Sequence, residues 1–358
     1  ELFDQANWPQ GITVMGMGLL EGEKMSSSKG HVVLPGEAID RYGADTVRFF
    51  LMNSAEPWQD FDWRADQVTS TRDQLDRFWR RAEELIGDGE VPDPVGADDA
   101  EDLQRIDRWL LSQLQDTIET VTEAMENFET RSASQAAFYD FQENLRWYRR
   151  RTDTEREGAQ RTLRTVLEAR LRMLAPFVPY MANDLHEQLT GEPAEDALWP
   201  AVDDALVDPQ VEVEESLVAD LTDDVRDIVD VTDTDPDTVR VYVAADWKHD
   251  VFGQVVETGP DVGAVMSQVM SDPDLRERGD AVNDLVQDLV AVVRERDDET
   301  LETLATLDEA AVYAEALDAL EREYDATVEL YREDDEDVVD PSGKAGQAIP
   351  FRPAVHIE

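Results

Sequence analysis

The sequence has no cysteine and very little lysine, and the first shortage excludes several classes of site. Without cysteine, the 358 residues cannot form a disulfide, a thiolate zinc site or a cysteine nucleophile. No apolar run approaches the roughly 18 residues of a membrane span, and no charged-then-apolar leader opens the chain. We therefore expect a soluble, cytoplasmic protein with no membrane contact and no metal site of its own.

The charge is strongly one-sided, with a formal net value of −51. A hydrophobic content of 41% is nevertheless enough to build cores, so the chain should fold into two or three domains. Only four residues are lysine: Lys24, Lys29, Lys248 and Lys344. Many carboxylates with few lysines are typical of a protein from a high-salt, halophilic source, where counterions screen self-repulsion. We interpret the acidity as adaptation to solvent rather than as recognition of a basic partner.

The hydrophobic pattern divides the chain into three predicted domains. Residues 1–62 mix short strand-like and helical segments, residues 63–200 hold a helical period that favours an all-α bundle, and residues 201–358 alternate helices and strands as in a small α/β domain. More locally, the pattern predicts helices at 37–42, 45–54 and 308–324, and strands at 31–34, 239–244, 326–331 and within 349–357.

The most informative segment is a polar loop that gathers two ammonium groups, three hydroxyls and a glycine. It consists of Lys24, Met25, Ser26, Ser27, Ser28, Lys29 and Gly30. Such a set suits a triphosphate, because lysine supplies mobile positive charge, hydroxyls donate hydrogen bonds and glycine lets the backbone approach. The alternative is an ordinary exposed loop. Half of all the lysines fall within these few residues, which favours phosphate binding.

This loop resembles the KMSKS loop of class I aminoacyl-tRNA synthetases. Residues 29–48 are similar to the segment that follows it in the Leu/Ile/Val/Met subgroup, and residues 53–64 and 241–248 narrow the resemblance to leucyl-tRNA synthetases of the archaeal and eukaryotic type. The resemblance covers nearly the whole chain. It implies the end of a class I Rossmann-type catalytic domain, an all-α bundle of the anticodon-binding type and a small C-terminal α/β domain.

The resemblance also implies a reaction, the ATP-dependent attachment of leucine to tRNA(Leu), with Mg²⁺ accompanying ATP. Lys24 matches the first lysine of the loop, whereas the second falls on Ser27. Either Lys29 replaces it, or Lys24 acts alone with the serines as donors. The candidate catalytic residues are Lys24 and Lys29, and the candidate ATP contacts are Lys24, Met25, Ser26, Ser27, Ser28 and Lys29. His31 stands where the family commonly has Asn, and it receives no catalytic role.

Several family features do not occur in the sequence: the His-x-Gly-His motif, a zinc-binding insertion and an editing domain. The chain is therefore expected to be the C-terminal portion of a synthetase, as a fragment or a half-gene subunit, monomeric and inactive alone. Leucine and ATP would then bind together with an N-terminal half. One alternative is a non-catalytic tRNA-binding module with a vestigial loop. Another is specificity for methionine or valine, against which the long tail domain argues.

The bundle carries an unusual cluster of arginines and aromatic residues. Its candidate RNA contacts are Arg146, Trp147, Arg149, Arg150 and Arg151, because guanidinium groups bind phosphates and aromatic rings stack on bases. In the resembling family this bundle docks the tRNA body. The alternative is a helix end where arginines complement the helix dipole.

The last residues provide a second set of RNA candidates. The final domain resembles an archaeal-type appendage that recognises the long variable arm of leucine tRNA, partly through the end of the chain. The candidates are Lys344, Phe351, Arg352 and Ile357. Alternatively, the segment from Phe351 to Ile357 only completes a sheet.

Overall fold

The computed structural model describes residues 11–26, 28, 30–87, 92–96 and 103–358. The chain divides into two compact units, Glu1–Val207 and Asp208–Glu358. Both of the first two predicted domains lie in the first unit, and the division follows shortly after the predicted boundary at residue 200. The three-domain organisation stays a prediction. Within the described ranges, no helix is both long enough and apolar enough to span a bilayer.

A small sheet opens the first unit. Its strands are β1 (Gly18–Leu20), β2 (Glu23–Lys24) and β3 (Phe61–Trp63), with β1 in the centre, antiparallel to β2 and parallel to β3. The two residues between β1 and β2, Glu21 and Gly22, both have positive φ, as a tight hairpin of this length commonly requires. The strand predicted at 31–34 is wrong, because only an isolated bridge from Ser26 to His31 forms before a proline starts the next helix.

Two short helices cover this sheet. They are α1 (Pro35–Tyr42) and α2 (Ala44–Asn53), which confirms the predicted helices to within two residues at each end. Together with β3 and the following helix they enclose a small apolar core. Its buried members are Ala38, Tyr42, Val47, Phe50, Trp63 and Val68, with Leu20, Met25 and Val33 packed against them.

The helical bundle predicted from the periodicity is confirmed. Its helices are α3 (Ala65–Ile86), α4 (Arg105–Glu126), α5 (Thr130–Ser134), α6 (Phe141–Arg151), α7 (Glu157–Leu174) and α8 (Pro179–Thr190). The apolar stripe of each long helix faces a common core that includes Leu110, Phe141 and Leu171. Between α5 and α6 the chain forms a π-helical turn, Gln135–Asp140, which the sequence pattern did not predict.

The second unit is the expected small α/β domain. Its helices are α9 (Pro209–Thr232), α10 (Asp246–Thr258), α11 (Val262–Val269), α12 (Pro273–Glu277), α13 (Asp280–Arg294), α14 (Asp298–Thr306), α15 (Glu309–Ala314) and α16 (Leu317–Tyr324). Its strands are β4 (Thr238–Val243), β5 (Thr327–Arg332) and β6 (Ala354–Ile357). β4 lies between β5, to which it is parallel, and β6, to which it is antiparallel. The single helix predicted over 308–324 is wrong, because α15 and α16 are separate helices.

Candidate functional site

Lys24 is the last residue of β2 and pairs with Leu19 of β1. Its side chain is exposed, and it forms no ion pair with any residue in the described ranges. The hairpin therefore fixes the backbone of Lys24 and leaves its ammonium group accessible to an anion from solution.

The residues after Lys24 form a narrow turn. The Ser26 amide donates to the His31 carbonyl at 2.7 Å, and the His31 amide donates to the Ser26 carbonyl at 3.1 Å. Inside the turn, the Ser26 and Ser28 hydroxyls lie 3.2 Å apart, and Gly30 has a φ of 68°. Ser27 and Lys29 lie outside the described residues. The replacement of the second family lysine by Lys29 stays a prediction.

Two side chains anchor this turn to the rest of the sheet. Met25 is half-buried and packs against the small core, so its side chain helps to hold the loop in place. Its contact with ATP stays a prediction. The Nε2 atom of His31 lies 2.9 Å from the Leu20 carbonyl, at the end of β1. His31 therefore ties the far end of the turn to the strand beside Lys24.

A second support holds the hairpin on its other side. The Gly22 amide donates to the Asp62 carboxylate at 2.9 Å, and Arg64 donates to the same carboxylate at 2.8 Å. These hydrogen bonds lower the pKa of Asp62, so the carboxylate stays charged. Sequence reasoning gave no role to Asp62 or His31. Since both contacts depend on strand pairing, only their position in the family-like segments could have drawn attention to them.

The arginine cluster of the bundle is divided by the helix that carries it. Arg146 and Arg150 are exposed on α6; Arg146 pairs with Glu143 at 3.3 Å, and the guanidinium of Arg150 lies 5.3 Å from the ring centre of Trp147. Arg151 is only 9% exposed. Trp147 is partly buried against the bundle core. The helix turns both Arg151 and Trp147 towards its packed side, and their RNA contacts stay a prediction.

Arg149 has a different neighbourhood. Arg149 is exposed as a residue, but its guanidinium end is largely buried in a cleft of the bundle that Arg81 and the buried Arg170 also line. Burial of its guanidinium and the charge of Arg81 lower the pKa of Arg149, while Glu84 opposes that shift. Arg149 thus belongs to a group of arginines that meet across helices.

Among the candidate RNA contacts near the end of the chain, some side chains pack within the second unit and one is exposed to solvent. The Lys344 ammonium donates to the Val355 carbonyl at 2.9 Å. Phe351 is 3% exposed and contacts the rings of His249 and Phe252 edge-on, so its ring packs inside the unit, and its RNA contact stays a prediction. Ile357 is half-buried in β6, opposite Val239. Arg352 is exposed. The end of the chain does complete the sheet through β6, and Arg352 is the exposed cation among the four candidates. Their RNA contacts stay a prediction.

Comparison with known proteins agrees with this architecture. Residues 107–242 match the anticodon-binding domain of tRNA ligase, and residues 2–75 match tRNA synthetases class I (M). Over its whole length, the chain is 36% identical to the leucine–tRNA ligase of Methanothermobacter thermautotrophicus and 39% identical to that of Pyrococcus abyssi. Along its entire length, the chain is similar to one portion of these leucine–tRNA ligases. It spans 38% and 35% of the length of those two relatives.

The leucyl-tRNA synthetase resemblance read from the KMSKS-like loop and its continuation is thus confirmed. A crystal structure of the Agrobacterium radiobacter K84 leucyl-tRNA synthetase, in a ternary complex with tRNA and LeuAMS, is also similar. It is 19% identical, covers 74% of this chain and 29% of that chain, and has a TM-score of 0.47. In the described part of this chain, no three His, Asp or Glu side chains lie close enough together to hold a metal ion.

Proposed function

We propose that this chain forms part of an enzyme that attaches leucine to tRNA(Leu) with consumption of ATP, and that it contributes the KMSKS-like loop and the tRNA-binding domains. The similarity to leucine–tRNA ligases along the entire chain carries this proposal. The exposed Lys24 on a braced hairpin supports it. Because the chain spans little more than a third of those relatives, leucine would bind mainly to the remainder of the enzyme.

In the activation step, the leucine carboxylate attacks the α-phosphorus of ATP and pyrophosphate leaves. Negative charge then shifts onto the departing phosphates, where a positioned ammonium group lowers the barrier. Lys24 is the proposed source of that charge, and Ser26 and Ser28 are proposed hydrogen-bond donors. Mg²⁺ would arrive with ATP and neutralise phosphate charge. Met25, His31 and Asp62 hold the hairpin and need not touch the nucleotide.

The second substrate, tRNA, would meet a surface that is mostly repulsive. Arg146 and Arg150 offer accessible cations on α6, and Arg352 offers one in the tail unit. Lys344 and Ile357 would shape the tail surface through β6 and the loop before it. We propose that these residues give the polyanion local positive contacts, which salt would weaken.

The alternative function is a tRNA-binding module whose loop is vestigial. Lysines are scarce in the rest of the chain, and the contacts of His31 and Asp62 hold the hairpin in place. Both observations favour a loop that takes part in catalysis. The two functions differ in one measurable property, since only the enzyme requires Lys24 for adenylate formation.

The test replaces Lys24 by Ala in a synthetase that contains this segment. We expect leucine-dependent exchange of pyrophosphate into ATP to slow by about 10²–10³-fold, the usual cost of losing one group that stabilises transition-state charge. Glu23→Gln, at the adjacent exposed position of β2, is the matched control and should keep full exchange. tRNA affinity should stay unchanged in both. Unchanged exchange in Lys24→Ala would support the vestigial loop, and equal losses of exchange and affinity would contradict the proposed role.

A further inference from the structure

Three arginines meet in a small cleft of the bundle that the proposed function does not use. The cleft lies between α3, α6 and α7 and has a volume of about 30 Å³. We call it the arginine cavity and define it by Arg81, Gln142, Arg149 and Arg170, which line it with apolar side chains from the same helices. In a chain with a net charge of −51, such a concentration of positive charge is unexpected.

Arg170 forms the floor of the cavity. It is 3% exposed, and it donates from Nε and Nη2 to the carbonyls of Ala137 and Phe138 at 3.1 Å each. The rings of Phe78 and Phe141 lie 5.1 and 5.4 Å from its guanidinium carbon. All of these partners are neutral. The positive charge of Arg170 is therefore solvated by dipoles and rings, without a carboxylate in the described ranges.

The mouth of the cavity is also positive. Arg81 and Arg149 are exposed there, and neither forms an ion pair with a described residue, although Glu84 is near enough to influence Arg149. The Nε2 amide nitrogen of Gln142 is buried and has no hydrogen-bond partner within the described part of the chain. A buried donor without an acceptor costs free energy, and so does a buried charge without a counter-ion.

Burial and mutual repulsion both weaken the protonated form of these arginines. Burial, reinforced by Arg149, lowers the pKa of Arg170 to about 9. Burial and Arg81 lower the pKa of Arg149 as well. At neutral pH these groups remain protonated, so their mutual repulsion persists unless an anion lies between them.

We propose that the arginine cavity binds a monatomic anion, chloride under ordinary conditions, held by the three guanidinium groups and the Gln142 amide. The volume of the cavity limits the size of the anion that it can bind. A water molecule needs about 10–15 Å³ measured in this way, so the cavity has room for about two or three water volumes, which is enough for one monatomic ion. A monatomic anion fits within that volume, whereas a nucleotide does not. Bound there, the ion would link α3, α6 and α7.

The test is diffraction from crystals of the whole chain grown in sodium bromide, since bromide replaces chloride and scatters anomalously. We expect an anomalous peak in the arginine cavity of the wild type. The peak should persist in Arg72→Gln, which removes an exposed arginine from the same helix as Arg81, and it should disappear in the double variant Arg81→Gln/Arg149→Gln. No peak in the wild type, or an equal peak in the double variant, would overturn the proposal.

A solution measurement keeps the proposal testable if crystals are not obtained. When potassium gluconate replaces potassium chloride at constant ionic strength, the melting midpoint of the wild type should fall by about 3 °C more than that of the double variant, as expected for a ligand that binds only the folded state. Equal falls would contradict it. If the double variant instead weakens tRNA binding with no halide effect, the arginines serve an RNA phosphate and the halide assignment is wrong.

Discussion

Lys24 in the first unit and Lys248 in the second occupy opposite environments. Lys248 is 7% exposed, and its ammonium group donates to the Glu333 carboxylate at 2.7 Å and to the carbonyls of Gly346 and Ala348 at 3.1 and 2.5 Å. Lys24 is exposed and lacks an ion-pair partner in the described ranges. One ammonium is satisfied by the fold, and the other is available to a ligand.

The difference shows what lysine scarcity means in this chain. A compact ammonium group can point three donors at three converging acceptors, which a planar guanidinium cannot do in the same space. That geometry explains Lys248 without any ligand, and the contact between Lys344 and the Val355 carbonyl explains Lys344 in part. Rarity alone therefore does not identify a binding site. A rare lysine that is also exposed and has no internal acceptor is a stronger indication of a binding site. Within the described ranges, Lys24 has all three properties.

The largest effect is expected from replacing the buried lysine, Lys248. Lys248→Met should lower the free energy of unfolding by about 3–5 kcal/mol, because the Glu333 carboxylate would be left buried without its counter-charge. Urea denaturation followed by circular dichroism measures the change. Lys24→Met is the matched control, the same substitution at an exposed position, and should change unfolding by no more than about 0.5 kcal/mol. Similar losses in the two variants would remove the distinction between the lysines.

A smaller effect is expected from loosening the turn that follows the exposed lysine, Lys24. His31→Ala removes the Nε2 contact with the Leu20 carbonyl and frees the far end of the turn. We expect leucine-dependent pyrophosphate exchange to fall roughly tenfold, equivalent to about 1.4 kcal/mol, because a less ordered loop positions the ammonium less well.

The control for this variant is His356→Ala, which removes an imidazole from the tail unit. It should leave exchange unchanged. If His31→Ala also kept full exchange, the hairpin would not need this contact, and the bracing argument for Lys24 would lose one of its two supports.

Much of this architecture could be predicted because it depends on local pattern. The helical period marked the bundle, and the alternating run at 239–244 marked β4 to within one residue. The strand at 31–34 failed because three apolar residues can equally pack against a core without joining a sheet, as Val33 does. The break between α15 and α16 has no glycine or proline to signal it.

The candidate site shows the same limit at the level of side chains. Residue types identified the loop, but which member faces solvent depends on strand pairing that sequence spacing does not reveal. For the arginine cluster, the sequence did indicate which side chain is buried. Leu145 and Tyr148 define the buried stripe of α6, and Arg151 follows Tyr148 by three residues, which places it on the same side of the helix. The prediction grouped the arginines by their charge and did not consider which side of the helix each one lies on.

The smallest expected effect extends the comparison from lysines to arginines of one helix. Arg150→Gln should weaken binding of tRNA(Leu) only a few-fold and reduce the slope of log affinity against log salt concentration by about one, as the loss of a single phosphate contact does. Arg72→Gln, at another exposed arginine on α3, should leave the slope unchanged. Arg151→Gln should instead lower the melting midpoint, because this side chain is buried and has partners within the bundle. Filter binding over a series of potassium chloride concentrations measures the slopes. A slope change of the same size in Arg151→Gln and in Arg150→Gln would mean that burial does not separate supporting from RNA-facing arginines on α6.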